Sequence, residues 1–417
     1  MWIGIVVAGF APYASAQPAW TWQQVRDKFE AANPTLQSLR IGIDENKAQE
    51  ITAYLRPNPD VTLTVDGFQV TENQGVWHPL SGVLETPGVS YLHERQHKRE
   101  LRRDSARQTT AVAESQLADQ ERTLLFNLAN AFVQTLQAKA VLALTRENLA
   151  YYDRLLALNR DRLAAGDIAR VDMDRLELQR VQYEADVQTA LVNLRTAKIE
   201  LLTLLNDRTP VEQFDVAGAF DFPERIQALE EFRSAALATR PDLKAAMESV
   251  QLAKINHELA VANGSTDPTF SGWYSHNPSF ANPFANNTVG GSVSIPLRIF
   301  DRNQGEKLRT QLDIGRNQRL LDANEAQVFS DVDSAYATLE SNLTLLRPYK
   351  SMYLEQALHV RDTITFAYQN GGSSLLDLLQ AQQDYRGIQL NYLSLIGSFL
   401  TAANQMNLAV GREVIVP

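Results

Sequence analysis

The sequence predicts a mainly α protein with a small β part, in which long antiparallel helical hairpins are combined with four strands per chain. Three observations lead there. The chain first repeats itself 205 residues on, from Gly166 to Gly371. Arg162-Leu163-Ala164-Ala165-Gly166-Asp167 leads into a stretch beginning Val171-Asp172, and Ala367-Tyr368-Gln369-Asn370-Gly371-Gly372 leads into one beginning Leu376-Asp377. In that register Leu191 meets Ile396, Leu194 meets Phe399 and Ala197 meets Ala402. An internal period of this kind governs every later assignment. Second, no proline stands between Pro87 and Pro210, and after Gly88 the only glycine in that stretch is Gly166. Third, short apolar/polar alternations precede the long helical stretch of each half.

The helices are expected from the second observation, since proline and glycine are the main helix breakers. Leu142, Leu149, Leu156 and Leu163 fall seven apart, as do Leu176, Tyr183, Ala190, Ala197 and Leu204. Val187, Leu194 and Leu201 add a second seam, and Leu378, Tyr385, Tyr392, Phe399 and Met406 repeat the spacing in the other half. Seven-residue apolar spacing keeps one stripe against a partner helix. A helix running from near residue 96 to Gly166 would be a rod on the order of 100 Å. Arg347-Pro348 predicts a kink or break in its counterpart.

The strands are short. Val61, Leu63 and Val65 alternate with Thr62, Thr64 and Asp66, and Val289 to Ile299 alternates in the same way. Partner strands are expected near 83–92 and 268–275, with Gly/Asn/Pro-rich loops near 69–82 and 276–288. Trp77, Trp273, Tyr274 and Phe284 sit near these loops, where a membrane barrel carries its aromatic girdle. The resulting organisation is a first repeat over 17–210, with a helix, a strand pair at about 59–93 and a helical hairpin at about 96–206. A second repeat over 211–417 has a helix, a strand pair at about 267–299 and a hairpin at about 302–411. Residues 1–16 read as a secretory signal, with an apolar run up to Phe10 and Ala14-Ser15-Ala16 as a cleavage site.

Composition narrows the function. A net charge of −10 argues against a nucleic-acid partner, which would need a basic face. With no cysteine, disulfides, thiolate metal sites and thiol nucleophiles are excluded. Past residue 16 no apolar run is long enough for a transmembrane helix. A membrane protein with this sequence is therefore a β-barrel. Four strands cannot close around water, since the smallest barrels use about eight. Three copies would supply twelve strands and twelve helical rods, so a homotrimer is expected.

Specific stretches resemble the TolC-like outer membrane efflux protein family. Ser292-Val293-Ser294-Ile295-Pro296-Leu297-Arg298-Ile299-Phe300-Asp301-Arg302-Asn303-Gln304-Gly305 is similar to the family's last strand running into its second long helix. Its Ile-Pro-Leu…Phe-Asp-Arg-Asn-Gln-Gly wording is most like the outer-membrane components of heavy-metal exporters. Tyr368 to Gln382 resembles the second periplasmic tip, and Arg56-Pro57-Asn58-Pro59 also fits. The resemblance implies a trimeric 12-stranded outer-membrane β-barrel over a 12-helix periplasmic α-barrel in a Gram-negative bacterium. It also implies a passive exit duct without cofactor, surrounded by outer-membrane lipid. Its tips meet a periplasmic adaptor (membrane fusion protein) coupled to an inner-membrane pump of the RND type.

By the same resemblance Arg162, Gly166, Asp167, Gly371 and Gly372 are the adaptor-docking tips, and Asp172, Tyr368, Asp377 and Gln380 belong to the periplasmic gate. Gly166 and Gly371 are in any case expected at the helix-to-helix turns, where φ > 0 is needed. Asp172 and Asp377 lie near helix N-termini, where the dipole favours an acid for structural reasons alone. Asp172 and Tyr368 match the family's partners for a locking contact between neighbouring tips, whereas the basic residue sometimes found five after the tyrosine is Ser373 here.

Two other readings stay open. His93-Glu94-Arg95-Gln96-His97 spells H-E-x-x-H, which on a helix would make a zinc hydrolase with Glu94 as base. Against it, the stretch sits at a strand-to-helix junction, continues as the charge run Lys98-Arg99-Glu100, and has no evident third ligand. No metal is therefore assigned to His93 and His97. The third reading is a periplasmic coiled-coil scaffold without a pore.

Overall fold

A computed structural model of the chain describes residues 19–72, 74–80, 82–277 and 286–415. The expected signal segment 1–16 and Phe284 lie outside the described residues. Elements run α1 (Trp22–Ala32), α2 (Pro34–Ala53), β1 (Asp60–Asp66), β2 (Leu84–Leu92), α3 (Lys98–Ala165) and α4 (Arg170–Leu204). They continue α5 (Leu229–Thr239), α6 (Pro241–Asn263), β3 (Thr269–His276), β4 (Asn287–Ser294), α7 (Gln304–Pro348), α8 (Leu354–Gln369) and α9 (Leu375–Val410). Two compact units divide the chain. One takes in the chain up to Leu39, Ala118–Arg240 and the chain from Ala326; the other is Arg40–Leu117 with Pro241–Glu325.

In the first unit the heptad seams become the core. Leu176, Tyr183, Ala190 and Ala197 are buried along α4, as are Leu142 and Leu156 on α3. Phe29 and Val25 of α1 pack with Leu128, Phe132, Leu201 and Leu205. Leu339, Leu343 and Leu346 of α7 pack with Ile396, Phe399 and Leu400 of α9.

Each half begins with an eleven-residue helix stopped before a proline, α1 before Pro34 and α5 before Pro241. Proline lacks an N–H but suits the first position of the next helix. The residue between the helices does matching work in the two halves. Asn33 Oδ1 accepts from the Leu36 amide at 3.1 Å, capping α2, while its Nδ2 donates to the Leu204 carbonyl at 3.2 Å, at the end of α4. Arg240 is buried, and its guanidinium donates to the Ala409 carbonyl at the end of α9 (3.2 Å) and to Asp331 (2.8 Å). Helix C-terminal carbonyls need such partners.

The second unit holds one antiparallel sheet in the order β1-β2-β3-β4. Its register gathers most hydroxyls on one face, which also carries Leu84 and Leu92, and most apolar side chains on the other, which also carries Glu85 and His276. Thr64, Thr86, Ser275 and Thr288 align across one face, and Asp60, Ser90, Ser271 and Ser292 form a second row. The other face carries Val61, Leu63, Val65, Val89, Phe270, Tyr274, Val289 and Val293, all solvent-exposed in the single chain. Among the described residues no helix is long and apolar enough to cross a membrane.

The structure adjusts several sequence expectations. The last strand begins at Asn287 and ends at Ser294 instead of reaching Ile299, because Pro296 has no N–H to continue the ladder. Trp273 belongs to the hydroxyl-bearing face in mid-strand, not to a girdle at the loop end. The first long helix begins at Lys98, after Gln96 (φ 58°) and His97 (φ 54°). At Pro348 the expected interruption takes the form of a π-helical turn, Tyr349–Tyr353.

Replacing Asn33 with Ala removes the α2 cap and leaves a carbonyl of α4 unpartnered, at a cost of about 1–2 kcal/mol. Hydrogen exchange should show faster exchange at the Leu36 amide and in the last turn of α4, with other helices unchanged.

Candidate functional site

The predicted site residues lie at or beside two turns, where α3 turns into α4 and α8 into α9, both within the first unit. Each turn is a complete left-handed helix stop. Gly166 (φ 85°) donates to the Leu163 carbonyl at 3.0 Å, and Asp167 to the Arg162 carbonyl at 2.8 Å. Gly371 (φ 77°) donates to Tyr368 O at 3.2 Å, and Gly372 to Ala367 O at 2.8 Å. This is the Schellman pattern, which satisfies carbonyls the helix would leave bare. The required φ lies where a Cβ is strained, which is why the repeat keeps glycine at both places.

The two turns are tied together by a polar joint in an apolar cluster. Tyr368 is buried with Tyr152, Leu155, Leu156, Met173, Leu176, Leu375 and Leu378. Its hydroxyl donates to Asn159 Oδ1 at 2.9 Å, while Asn159 Nδ2 donates to the Leu155 carbonyl at 2.8 Å. Arg162 stacks its guanidinium 5.0 Å from the Tyr368 ring centre and reaches the Tyr368 carbonyl at 3.4 Å. Arg162 and Tyr368, one from each turn, are thus brought together. Burial pushes the Tyr368 phenol above its ordinary value even with Arg162 at hand. Tyr152, stacked 4.6 Å from Tyr183, donates to the Leu176 carbonyl at 3.1 Å, and burial pushes both phenols up.

The acids are placed otherwise. Asp377 sits in the first turn of α9 as half of a capping box: Ser374 caps the Asp377 amide, and the Asp377 carboxylate accepts from the Ser374 hydroxyl (2.7 Å) and amide (3.1 Å). These hydrogen bonds hold the carboxyl below its usual range. Asp172 stands 3.7 Å from Arg175, and the Tyr368 hydroxyl bonds Asn159 instead of Asp172. Gln380 donates to Asp384 at 2.7 Å.

Asn159 carries this joint, and the sequence reading does not single it out. Its signal is present all the same: Tyr152 and Asn159 are seven apart on a second seam of α3, and a lone Asn at a seam position fixes register at some cost in stability. Asn159 is 0% exposed. Also unforeseen is Arg361, whose guanidinium lies 4.8 Å from the Tyr151 ring and 4.3 Å from that of Tyr385.

H-E-x-x-H does not form a metal centre. His93 lies just past the end of β2, His97 has φ 54°, and the segment between them is not helical, so the two rings share no helix face. Glu94 is held by both terminal nitrogens of Arg102. Among the described residues no group of His, Asp and Glu could hold a metal ion.

Residues 232–412, which contain the second turn, the joint residue Tyr368 and the capping residue Asp377, match the family described as outer membrane efflux protein. That stretch is similar to outer membrane efflux proteins. Beyond it the whole chain resembles TolC-like proteins. It is 24% identical over 382 residues to the cobalt-zinc-cadmium resistance protein CzcC of Cupriavidus metallidurans, covering 89% of this chain and 85% of that one. It is 22% identical to outer membrane protein TolC of Escherichia coli, covering 94% of this chain and 83% of TolC. The fold matches the crystal structure of CusC, a protein described as forming a transmembrane channel, with a TM-score of 0.77 at 16% identity over 94% of this chain and 92% of CusC.

Tyr368→Phe leaves Asn159 Oδ1 without its donor, and a loss of about 1–2 kcal/mol is expected, read as faster hydrogen exchange around both turns. The buried phenols predict alkaline sensitivity. A phenol whose folded value is raised ionises more readily unfolded, so its contribution is intact below the ordinary value of about 10. The contribution declines as pH rises through that value. Tyrosinate absorbance should show Tyr152, Tyr183 and Tyr368 titrating later than exposed tyrosines, with loss of tip protection at the same pH.

Proposed function

We propose that the chain is the outer-membrane subunit of a tripartite efflux system: a homotrimeric, passive exit duct from periplasm to exterior. The observation that carries this reading is the sheet. It has edge strands at β1 and β4, an exposed apolar face and an opposite face of hydroxyls. In hydrocarbon every backbone polar group needs a partner, and a closed barrel supplies it. Three copies joined β4 to β1 give twelve strands, apolar outward against outer-membrane lipid and hydroxyl-lined within. The four long helical segments of each chain then give a twelve-helix tunnel in the periplasm.

In this reading the energy comes from an RND-type inner-membrane pump, joined through a periplasmic adaptor. Arg162, Gly166, Asp167, Gly371 and Gly372 present the docking turns, and Asp172, Tyr368, Asp377 and Gln380 stand at the gate. Metal cations are the cargo supported by the likeness to CzcC and by Asp60 and Asp66, which lie on the hydroxyl face and favour cations.

Electron microscopy of the detergent-solubilised full chain tests the duct. A hollow three-fold tube longer than about 100 Å is the expected result; a compact particle or a pore-less rod overturns it. Cargo is tested separately. With its pump and adaptor supplied, the chain should restore cobalt, zinc and cadmium tolerance to a strain lacking such a duct. Restored drug tolerance with unchanged metal tolerance would reject the metal assignment.

A further inference from the structure

Trp273 is the one large aromatic side chain on the hydroxyl face of the sheet among the described strand residues. It is flanked by Ser271 and Ser275 along β3 and stands opposite Gly88 on β2 and Gly290 on β4. The contrast with its surroundings is sharp. Phe270 and Tyr274, close to it along the strand, belong to the apolar face. Period-two alternation therefore puts Trp273 where a water-filled bore would be.

The glycines decide how the indole lies. A Cβ at residue 290 would stand 2.5 Å from Cε2, 2.6 Å from Cζ2 and 2.7 Å from Nε1 of Trp273, so the ring rests across the bare backbone of Gly290. A carbon–carbon contact is comfortable only near 3.5–4.0 Å, and no other residue leaves this recess open. On the opposite side a Cβ at Gly88 would meet the Trp273 Cβ at 3.4 Å and Thr62 Oγ1 at 3.1 Å. Both neighbours in the row are thus glycines. The ring is laid against the wall and remains 36% exposed.

We infer that the Gly88–Trp273–Gly290 row sets the bore of the channel at mid-strand, a role that rests on the duct proposed above. Recessed over Gly290, the indole is the largest side chain of its row, presents an aromatic surface to passing cargo and takes less of the cross-section than an upright ring would. A side chain at 290 would lift it off the wall, and three lifted rings would narrow the passage. Trp273 is accordingly a size-determining residue, and the glycines are its positioning residues.

The test uses accessibility in the full chain reconstituted in vesicles. The sequence has no cysteine, so Ser294→Cys introduces a unique thiol. Ser294 is the last residue of β4, on the hydroxyl face and beyond Trp273 from the 276–287 loop end. Membrane-impermeant maleimides of increasing size are added from the loop side.

Gly88→Val with Gly290→Val is expected to abolish labelling by the larger reagents while the smallest still reacts. Adding Trp273→Ala to that pair should restore the larger ones. Trp273→Ala alone, which needs no change of backbone, should admit larger reagents than the parent does, and an unchanged limit there overturns the inference even if the valine variants fail to assemble. An unchanged size limit in the valine variants, or one that Trp273→Ala does not relieve, overturns the inference and leaves the duct standing. A thiol at 294 that no aqueous reagent reaches, with Val61→Cys on the opposite face labelled instead, overturns the duct itself.

Discussion

Among the described residues the backbone N–H and C=O groups along the outer sides of β1 and β4 have no strand to pair with, and in hydrocarbon each bare group costs several kcal/mol. The apolar face sets the same problem in reverse. Val61 and Val289 are more than three-quarters exposed, and neither would be tolerated in water as part of a large flat patch. Covering the edges with further strands and the face with lipid resolves both at once. Helical packing within the chain resolves neither, because the helices bury their own seams first. In the duct proposed above, the demand for other copies therefore arises in the β part.

A second constraint acts on the helices. Two antiparallel pairs must reverse direction without leaving carbonyls bare, and Gly166 and Gly371 meet it with the same backbone conformation. The two turns differ in how the next helix is started. After Gly371 comes a serine that caps α9, with Asp377 returning the bond, whereas the cap position before α4 is Ala169, which makes no side-chain bond. The second helix start is therefore the better fastened of the two. Tyr368 and Arg162 link the turns across the sequence, so neither turn can move far without disturbing the Asn159 bond.

Much of this was legible in the sequence because it depends on period. The seven-residue seams marked the buried stripes of α3, α4 and α9, and the period-two alternation separated Val61, Leu63 and Val65 from Thr62 and Thr64. Boundaries were less legible. Pro296 shortened a strand whose alternation continues to Ile299, since side-chain pattern and backbone hydrogen bonding are separate requirements. The tip chemistry was readable only in part. Gly166 announces a turn by its isolation, but whether Asp377 faces solvent or serves its own helix depends on Ser373 and Ser374, whose hydroxyls both reach the same carboxylate. H-E-x-x-H shows the opposite failure, since the letters match while left-handed residues at 96 and 97 break the helix that the chemistry requires.

The polar groups of the two regions are used differently, and that difference bears on the passive conduit proposed above. At the turns several polar side chains are spent inside the chain: Asn159 on Tyr368 and Leu155, Asp377 on two serines, Arg162 on a ring and a carbonyl. Such groups hold geometry and have little capacity left for a passing solute. On the sheet the hydroxyls of Thr62, Ser90, Ser271 and Ser292 remain exposed or half-exposed, and a hydroxyl both donates and accepts. A wall of that kind exchanges hydrogen bonds with water and hydrated ions at nearly no net cost, since each bond lost to one partner is regained from the next. It therefore binds nothing tightly, which conduction requires. Acids placed only at the ends of β1, Asp60 and Asp66, add attraction for cations without creating a deep well midway. Fixed structure at the turns and weak, interchangeable contacts along the sheet are thus two uses of the same small set of polar side chains.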